Sequence, residues 1–250
     1  MKTPKRTRQF YLFALAARLI VFLILLFYAI ETPPAQFLSD VKAGLTRFTP
    51  VSIVWLGLMI CMIFRLFPSR IESLGCQKIY AKRAQETGTP PTEKDLRTGE
   101  RSALRSFLFW VALNAVFFIA YWTHIVDERF MVCLAGFYSV VDIFCILFFC
   151  PFQSWFMHNR CCTTCRIFDW DYLMICTPLL AFPNAVTLSA SALAGVIFLR
   201  WELIYARNKE RFYETSNTAL KCSQCEEHLC QYKRALAASV KPKKSAQPRR

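Results

Sequence analysis

The stretch Tyr172-Leu-Met-Ile-Cys176-Thr-Pro178-Leu-Leu-Ala-Phe182-Pro183-Asn184-Ala-Val-Thr-Leu-Ser-Ala-Ser-Ala-Leu-Ala-Gly195-Val-Ile-Phe-Leu199 runs for 28 residues without a charge. A hydrocarbon core about 30 Å thick needs roughly 20 helical residues to cross it, so the run is long for one span and short for two full ones. Pro178 and the Pro183-Asn184 pair decide how it is read. A single crossing sends the two chain ends to opposite sides. A half-helix from Tyr172 to Phe182, followed by a returning helix, keeps them together, and such a break is tolerated where it is buried in protein.

Four further apolar runs precede it: Phe10 to Ile30, Val51 to Pro68, Ser106 to Val126 and Phe130 to Phe152. Each is long enough to span. With 55% hydrophobic residues, 23 Phe and only 19% charged residues, the composition is that of a membrane protein. The expected fold is all-α: a polytopic integral membrane helical bundle of five apolar segments, the last one broken. The basic Met1 to Gln9 segment leads into a long apolar run that ends at Glu31-Thr-Pro-Pro without a small-residue cleavage site, so it reads as a retained anchor in the cell membrane.

Charge orients the runs. Placing the N-terminus in the cytosol also puts 69–105, with eight Lys and Arg, on that side, while 31–50 outside carries two and 127–129 one. The cysteine loop 153–170 then returns to the cytosolic face. A returning last segment gives 26 Lys and Arg inside against 3 outside, whereas a single crossing gives 14 against 15 and erases the bias. The expected organisation is a transmembrane helical domain over 1–212, a cysteine-rich juxtamembrane segment over 213–232 and a disordered basic tail over 233–250. Gly88-Thr-Pro90-Pro91 breaks the larger loop, and Thr92-Glu-Lys-Asp95 reads as a helix start leading toward Ser106. The net charge of +14 comes mainly from residues flanking the spans, without a recognition motif. Lipid headgroups, and not nucleic acid, are therefore the expected partner.

Six of the twelve cysteines fall in two runs, Cys161-Cys162-Thr-Thr-Cys165 and Cys222-Ser-Gln-Cys225-Glu-Glu-His228-Leu-Cys230. A C-x-x-C pair brings two thiolates to one metal, and Cys162/Cys165 with Cys222/Cys225 supply four, the number for tetrahedral zinc or an iron–sulfur cluster. Cys161, Cys230 and Cys150, with His158 and His228, are spare ligands, and such excess thiolate favours iron–sulfur chemistry over zinc. Thiol–disulfide exchange or an inert role stays open, although a cytosolic face keeps thiols reduced and favours metal. Cys61, Cys133, Cys145 and Cys176 lie inside apolar runs as small hydrophobes, and Cys76 reads as a solitary thiol. Arg18, Asn114 and Asp142 fall at similar depth in their runs, which predicts an Arg18–Asp142 ion pair with Asn114 beside it.

The stretches Asn159-Arg-Cys-Cys-Thr-Thr-Cys-Arg-Ile-Phe-Asp-Trp170-Asp and Arg200-Trp-Glu-Leu-Ile-Tyr-Ala-Arg-Asn-Lys-Glu-Arg-Phe212, the latter continuing to Cys230, resemble an uncharacterised group of bacterial multi-pass membrane proteins. The resemblance covers about a third of the chain and implies that the two cysteine runs belong together. It brings no activity.

Three functions compete on these residues. The first is a redox protein passing electrons from a cytosolic-face iron–sulfur cluster to a membrane partner. The second is a structural or accessory protein whose zinc clips the tail to the loop. The third and weakest is a small-solute transporter, resting on the broken last segment. Nucleotide-binding glycine loops, hydrolase elbows and metalloprotease helix motifs are all missing from the sequence.

Overall fold

A computed structural model describes residues 5–67, 77–80, 83–159, 161, 164–225 and 229–230. Seven α-helices are described: α1 (Lys5–Glu31), α2 (Pro34–Ala43), α3 (Pro50–Leu66), α4 (Glu93–Trp122), α5 (Glu128–Leu147), α6 (Asp171–Cys176) and α7 (Ala185–Arg207). The described residues form no strand ladder, only an isolated bridge between Glu86 and Asn217. Four helices are long and apolar enough to cross a membrane, and the bent α2–α3 unit makes five.

Local sequence sets the helix starts. Thr49 caps α3 by accepting from Ser52 N while Ser52 Oγ accepts from Thr49 N, a reciprocal capping box with Pro50 at the first helical position. Thr92 accepts from Asp95 N and starts α4 where the sequence pointed, but the helix then runs without a break into the apolar stretch to Trp122. Asp127 caps α5 through Phe130 N. Asn184 caps α7 by accepting from Val186 N and Thr187 N, so the Pro-Asn break is itself a helix start.

The broken segment returns. Cys176 O lies against Ser191 Oγ, Tyr172 packs with Ala194 and Ile197, and Trp170 meets Phe198 edge-on, so the arm before Pro183 runs antiparallel to α7. Its tip reaches the opposite end of the bundle, where Ala181 and Phe182 share a buried cluster with Phe37, Val51 and Met131. The expected half-helix is therefore a complete pass. It covers the depth because α6 is flanked by 3₁₀ turns, Phe168–Trp170 and Thr177–Ala181. A 3₁₀ turn rises about 2.0 Å per residue against 1.5 Å for an α-helix, which gives roughly 25 Å for the arm. Pro178 sits in the first turn of the second 3₁₀ segment, where its missing N–H is not needed.

The described residues thus run the length of the bundle six times, along α1, α3, α4, α5, the α6 arm and α7. One end gathers Tyr11, Leu147 and Leu229 in one cluster and Ala103, Cys165, Trp201 and Leu220 in another, so the start of α1 and the described part of the C-terminal segment meet there. The other end carries α2, an additional helix in the expected outer loop, whose Asp40 accepts from Tyr28 Oη at 2.6 Å. Gly44, with φ of 54°, turns the chain between α2 and α3 where a Cβ would stand 3.0 Å from Val186 Cγ2. That close approach seats the hairpin tip beneath the turn.

Candidate thiol site at the terminus-bearing end

Three layers of residues build this end, beginning with the charges. Arg18 on α1 donates through Nη1 to Asp142 Oδ2 on α5 at 2.6 Å and to Ser139 O at 2.8 Å. Asn114 does not join them. It donates to Trp110 O one turn back in α4 and accepts from Tyr138 Oη at 3.4 Å. Arg65, at the end of α3, donates to Asp169 Oδ1 at 2.7 Å and reaches Asp171 Oδ2 at 3.5 Å. Its charged group also lies over the rings of Phe168 and Tyr172. Arg65 was passed over in the sequence reading, although its signal was a charge at the end of an apolar run that requires a partner, with Asp169 and Asp171 a few residues after the first cysteine run.

The second layer holds the cysteine loop against α7. Arg166 makes a bidentate pair with Glu202, Nη1 to Oε1 at 2.8 Å and Nη2 to Oε2 at 2.5 Å, while Trp170 Nε1 donates to the same Oε1 at 2.8 Å. The guanidinium carbon lies 3.6 Å from the Tyr205 ring centroid, and Arg166 O accepts from Trp201 Nε1 at 2.7 Å. Such planar recognition needs arginine and would not survive lysine. Buried Arg166 Nε has no hydrogen-bond partner among the described residues, so the ring face and the carboxylate carry the cation.

The third layer docks the C-terminal segment. Asn217 is fully buried and makes four bonds: Nδ2 to Lys78 O at 3.1 Å and to Arg211 O at 2.9 Å, and Oδ1 from Gln85 N at 3.0 Å and Ala219 N at 3.2 Å. Thr87 N donates to Ser216 O and Thr218 N to Gln85 O, both at 2.9 Å, pairing the tail with the loop before α4. Tyr213 Oη lies 2.8 Å from Tyr205 Oη, and burial together with that hydrogen bond pushes the Tyr213 phenol up. The part of the expected juxtamembrane segment that precedes Cys222 is thus built into the fold.

On this frame the cysteines separate. Cys165 is buried among Ile167, Trp170 and Trp201, and desolvation pushes its thiol up to about 12. Cys222 is exposed and Cys225 half-buried, joined by a tight 3₁₀ turn in which Cys225 N donates to Cys222 O at 3.3 Å. Cys161 and Cys230 are half-buried. Cys162, Cys76, His228 and the 233–250 tail lie outside the described residues. Leu220 and Cys165 share one buried cluster, so the two cysteine runs come to the same end of the bundle. Among the described residues, no three His, Cys, Asp or Glu side chains stand ready around one ion.

Beneath the cysteine loop lies a cavity of about 110 Å³. Cys145, Cys150 and Cys165 line it together with Asp142, Asp171 and Gln153. Cys145 had read as a packed hydrophobe inside an apolar run. Only the turn after α5, which brings Phe152–Met157 against α4, reveals that it faces the same space as the loop cysteine.

The fold and this end define an all-α bundle with helices fit to cross a membrane and thiols concentrated at one end. No protein-family model, curated protein or solved structure matches the chain.

Proposed function

We propose that this is an integral membrane protein with a cytosolic N-terminus whose cysteine runs hold an iron–sulfur cluster and serve electron transfer or redox sensing with a membrane partner. The supporting observation is the shared buried cluster of Cys165 and Leu220, which a common site for Cys162, Cys165, Cys222 and Cys225 requires. The side assignment rests on the Lys and Arg imbalance of 26 against 3 once the last segment returns. Zinc at the same cysteines is the second reading, favoured by the tight Cys222–Cys225 turn. Its structural purpose is weaker, because Asn217 and its neighbours already fasten the tail without metal. Anaerobic purification followed by iron, sulfide and zinc analysis tests the reading. Iron and sulfide with a visible charge-transfer band support it, about one zinc per chain moves the assignment to the clip, and a metal-free colourless protein refutes both.

A further inference from the structure

Cavity, charge and sulfur coincide at one place that the reading above leaves unused. Cys145 comes from the last turn of α5, Cys150 from the turn after it and Cys165 from the cysteine loop, and all three line the one cavity. We propose that this cavity is a binding site for a soft monovalent metal ion of the Cu(I) or Ag(I) class, held between two thiolates, with Cys150 and Cys165 as the leading pair and Cys145 beside them. The site goes beyond the cluster reading and needs none of the tail's cysteines.

The donors select the ion. Thiolate suits soft d¹⁰ ions, whereas magnesium or calcium would need an oxygen cage. The two carboxylates lining the cavity are engaged elsewhere, Asp142 by Arg18 and Asp171 by Arg65. Zinc would need a preformed set of three or four ligands, and no three candidate side chains are so arranged among the described residues. An ion content with two ligands escapes that requirement. Cys150 and Cys165 line the same cavity. Gln153 N donates to Cys150 Sγ at 3.4 Å, the type of outer hydrogen bond that supports a metal-bound thiolate.

The charge balance admits a cation. Arg18 and Arg65 face Asp142, Asp169 and Asp171, which leaves one negative charge over at full ionisation. Binding then converts two thiols and one M⁺ into a bis-thiolate complex of charge −1 and releases two protons. One proton is taken by the surplus carboxylate and the other leaves to solvent, so the charge of the site is unchanged. No electron moves. Because Cys165 serves either the cavity or a tail-sharing cluster, filling one empties the other.

The test uses full-length protein in detergent, carrying Ser at 161, 162, 222, 225 and 230, titrated with Ag(I) against a competing chelator. One Ag(I) per chain is expected, lost on adding Cys150→Ser or Cys165→Ser, with a two-coordinate sulfur shell in X-ray absorption. In the unsubstituted protein, where folding is not in question, Ag(I) is expected to protect the half-buried Cys150 from a membrane-permeant alkylating reagent. Failure of the five-Ser protein to retain Ag(I), or alkylation of Cys150 unchanged by Ag(I), overturns the proposal. Ag(I) retained in a protein that purifies without iron or zinc leaves this site standing and refutes the cluster. Iron–sulfur content in the unsubstituted protein, together with a five-Ser protein that does not retain Ag(I), does the reverse.

Discussion

Arg18 Nη1 stands 2.6 Å from Asp142 Oδ2, joining α1 to α5 at the depth where the cavity begins. Nearby, Arg65 gathers Asp169 and Asp171 to the end of α3, so two guanidiniums and three carboxylates tie three helices and the entry of the α6 arm together. Charges brought out of water hold the structure only while each keeps its partner. That condition helps fix the register of the bundle, because sliding one helix past its neighbour would break the pairs.

Removing one member of the first pair therefore costs more than removing both. Arg18→Ala is expected to destabilise by about 3 kcal/mol, because it leaves Asp142 without its cation. Arg18→Met combined with Asp142→Leu should recover most of that loss. Thermal unfolding followed by size-exclusion in detergent distinguishes them, and a double variant no better than Arg18→Ala would show that the pair contributes through more than charge.

The pair was legible in the sequence because an arginine and an aspartate in apolar runs must find partners, and depth along each run brought them level. The returning last segment was legible from charge counting. Its full depth was not, since a run of 3₁₀ geometry leaves no periodic mark in Thr177-Pro-Leu-Leu-Ala181. Asn114 shared the depth of Arg18 and still bonded elsewhere, for depth says nothing about which way round a helix a side chain points. The cavity cysteines were hidden for a related reason. Cys145 in a span and Cys165 in a loop share no spacing, and only the turn after α5 brings them to one space.

Asn217 carries the tail's attachment through its four hydrogen bonds. Asn217→Ala leaves two carbonyls and two N–H groups to find other partners, at a local cost of about 2–4 kcal/mol. Limited proteolysis is expected to cut between 209 and 225 many times faster than in the unsubstituted protein, while the long apolar helices stay intact. Equal cleavage rates would mean that the bridge between Glu86 and Asn217 and the packing of Leu220 hold the segment alone.

Gly99 on α4 faces the same segment, and a Cβ there would stand 2.6 Å from Tyr213 Oη. Gly99→Ala should displace the phenol, break its 2.8 Å bond to Tyr205 and destabilise by about 1–3 kcal/mol despite alanine's better helix propensity. Tyr213→Phe removes the colliding oxygen. The double variant is therefore expected to unfold at a higher temperature than Gly99→Ala, and the opposite order would place the strain elsewhere.

Cys165 and Cys222 should differ sharply in reactivity. The buried Cys165 thiol is pushed up to about 12 by desolvation, so it stays protonated and shielded at neutral pH, whereas Cys222 is exposed. Mass spectrometry after brief alkylation of metal-free protein at neutral pH is expected to find Cys222 modified and Cys165 intact. The same shift makes a stability prediction. An unfolded thiol ionises near 9.0 and the folded one near 12, so the folded state binds the proton more tightly. The resulting stabilisation is complete below pH 9 and is lost as pH rises from about 9 toward 12. Cys165→Ala removes this titration and should flatten that part of the alkaline decline in the unfolding midpoint. An unchanged alkaline slope in Cys165→Ala would assign the loss to other groups.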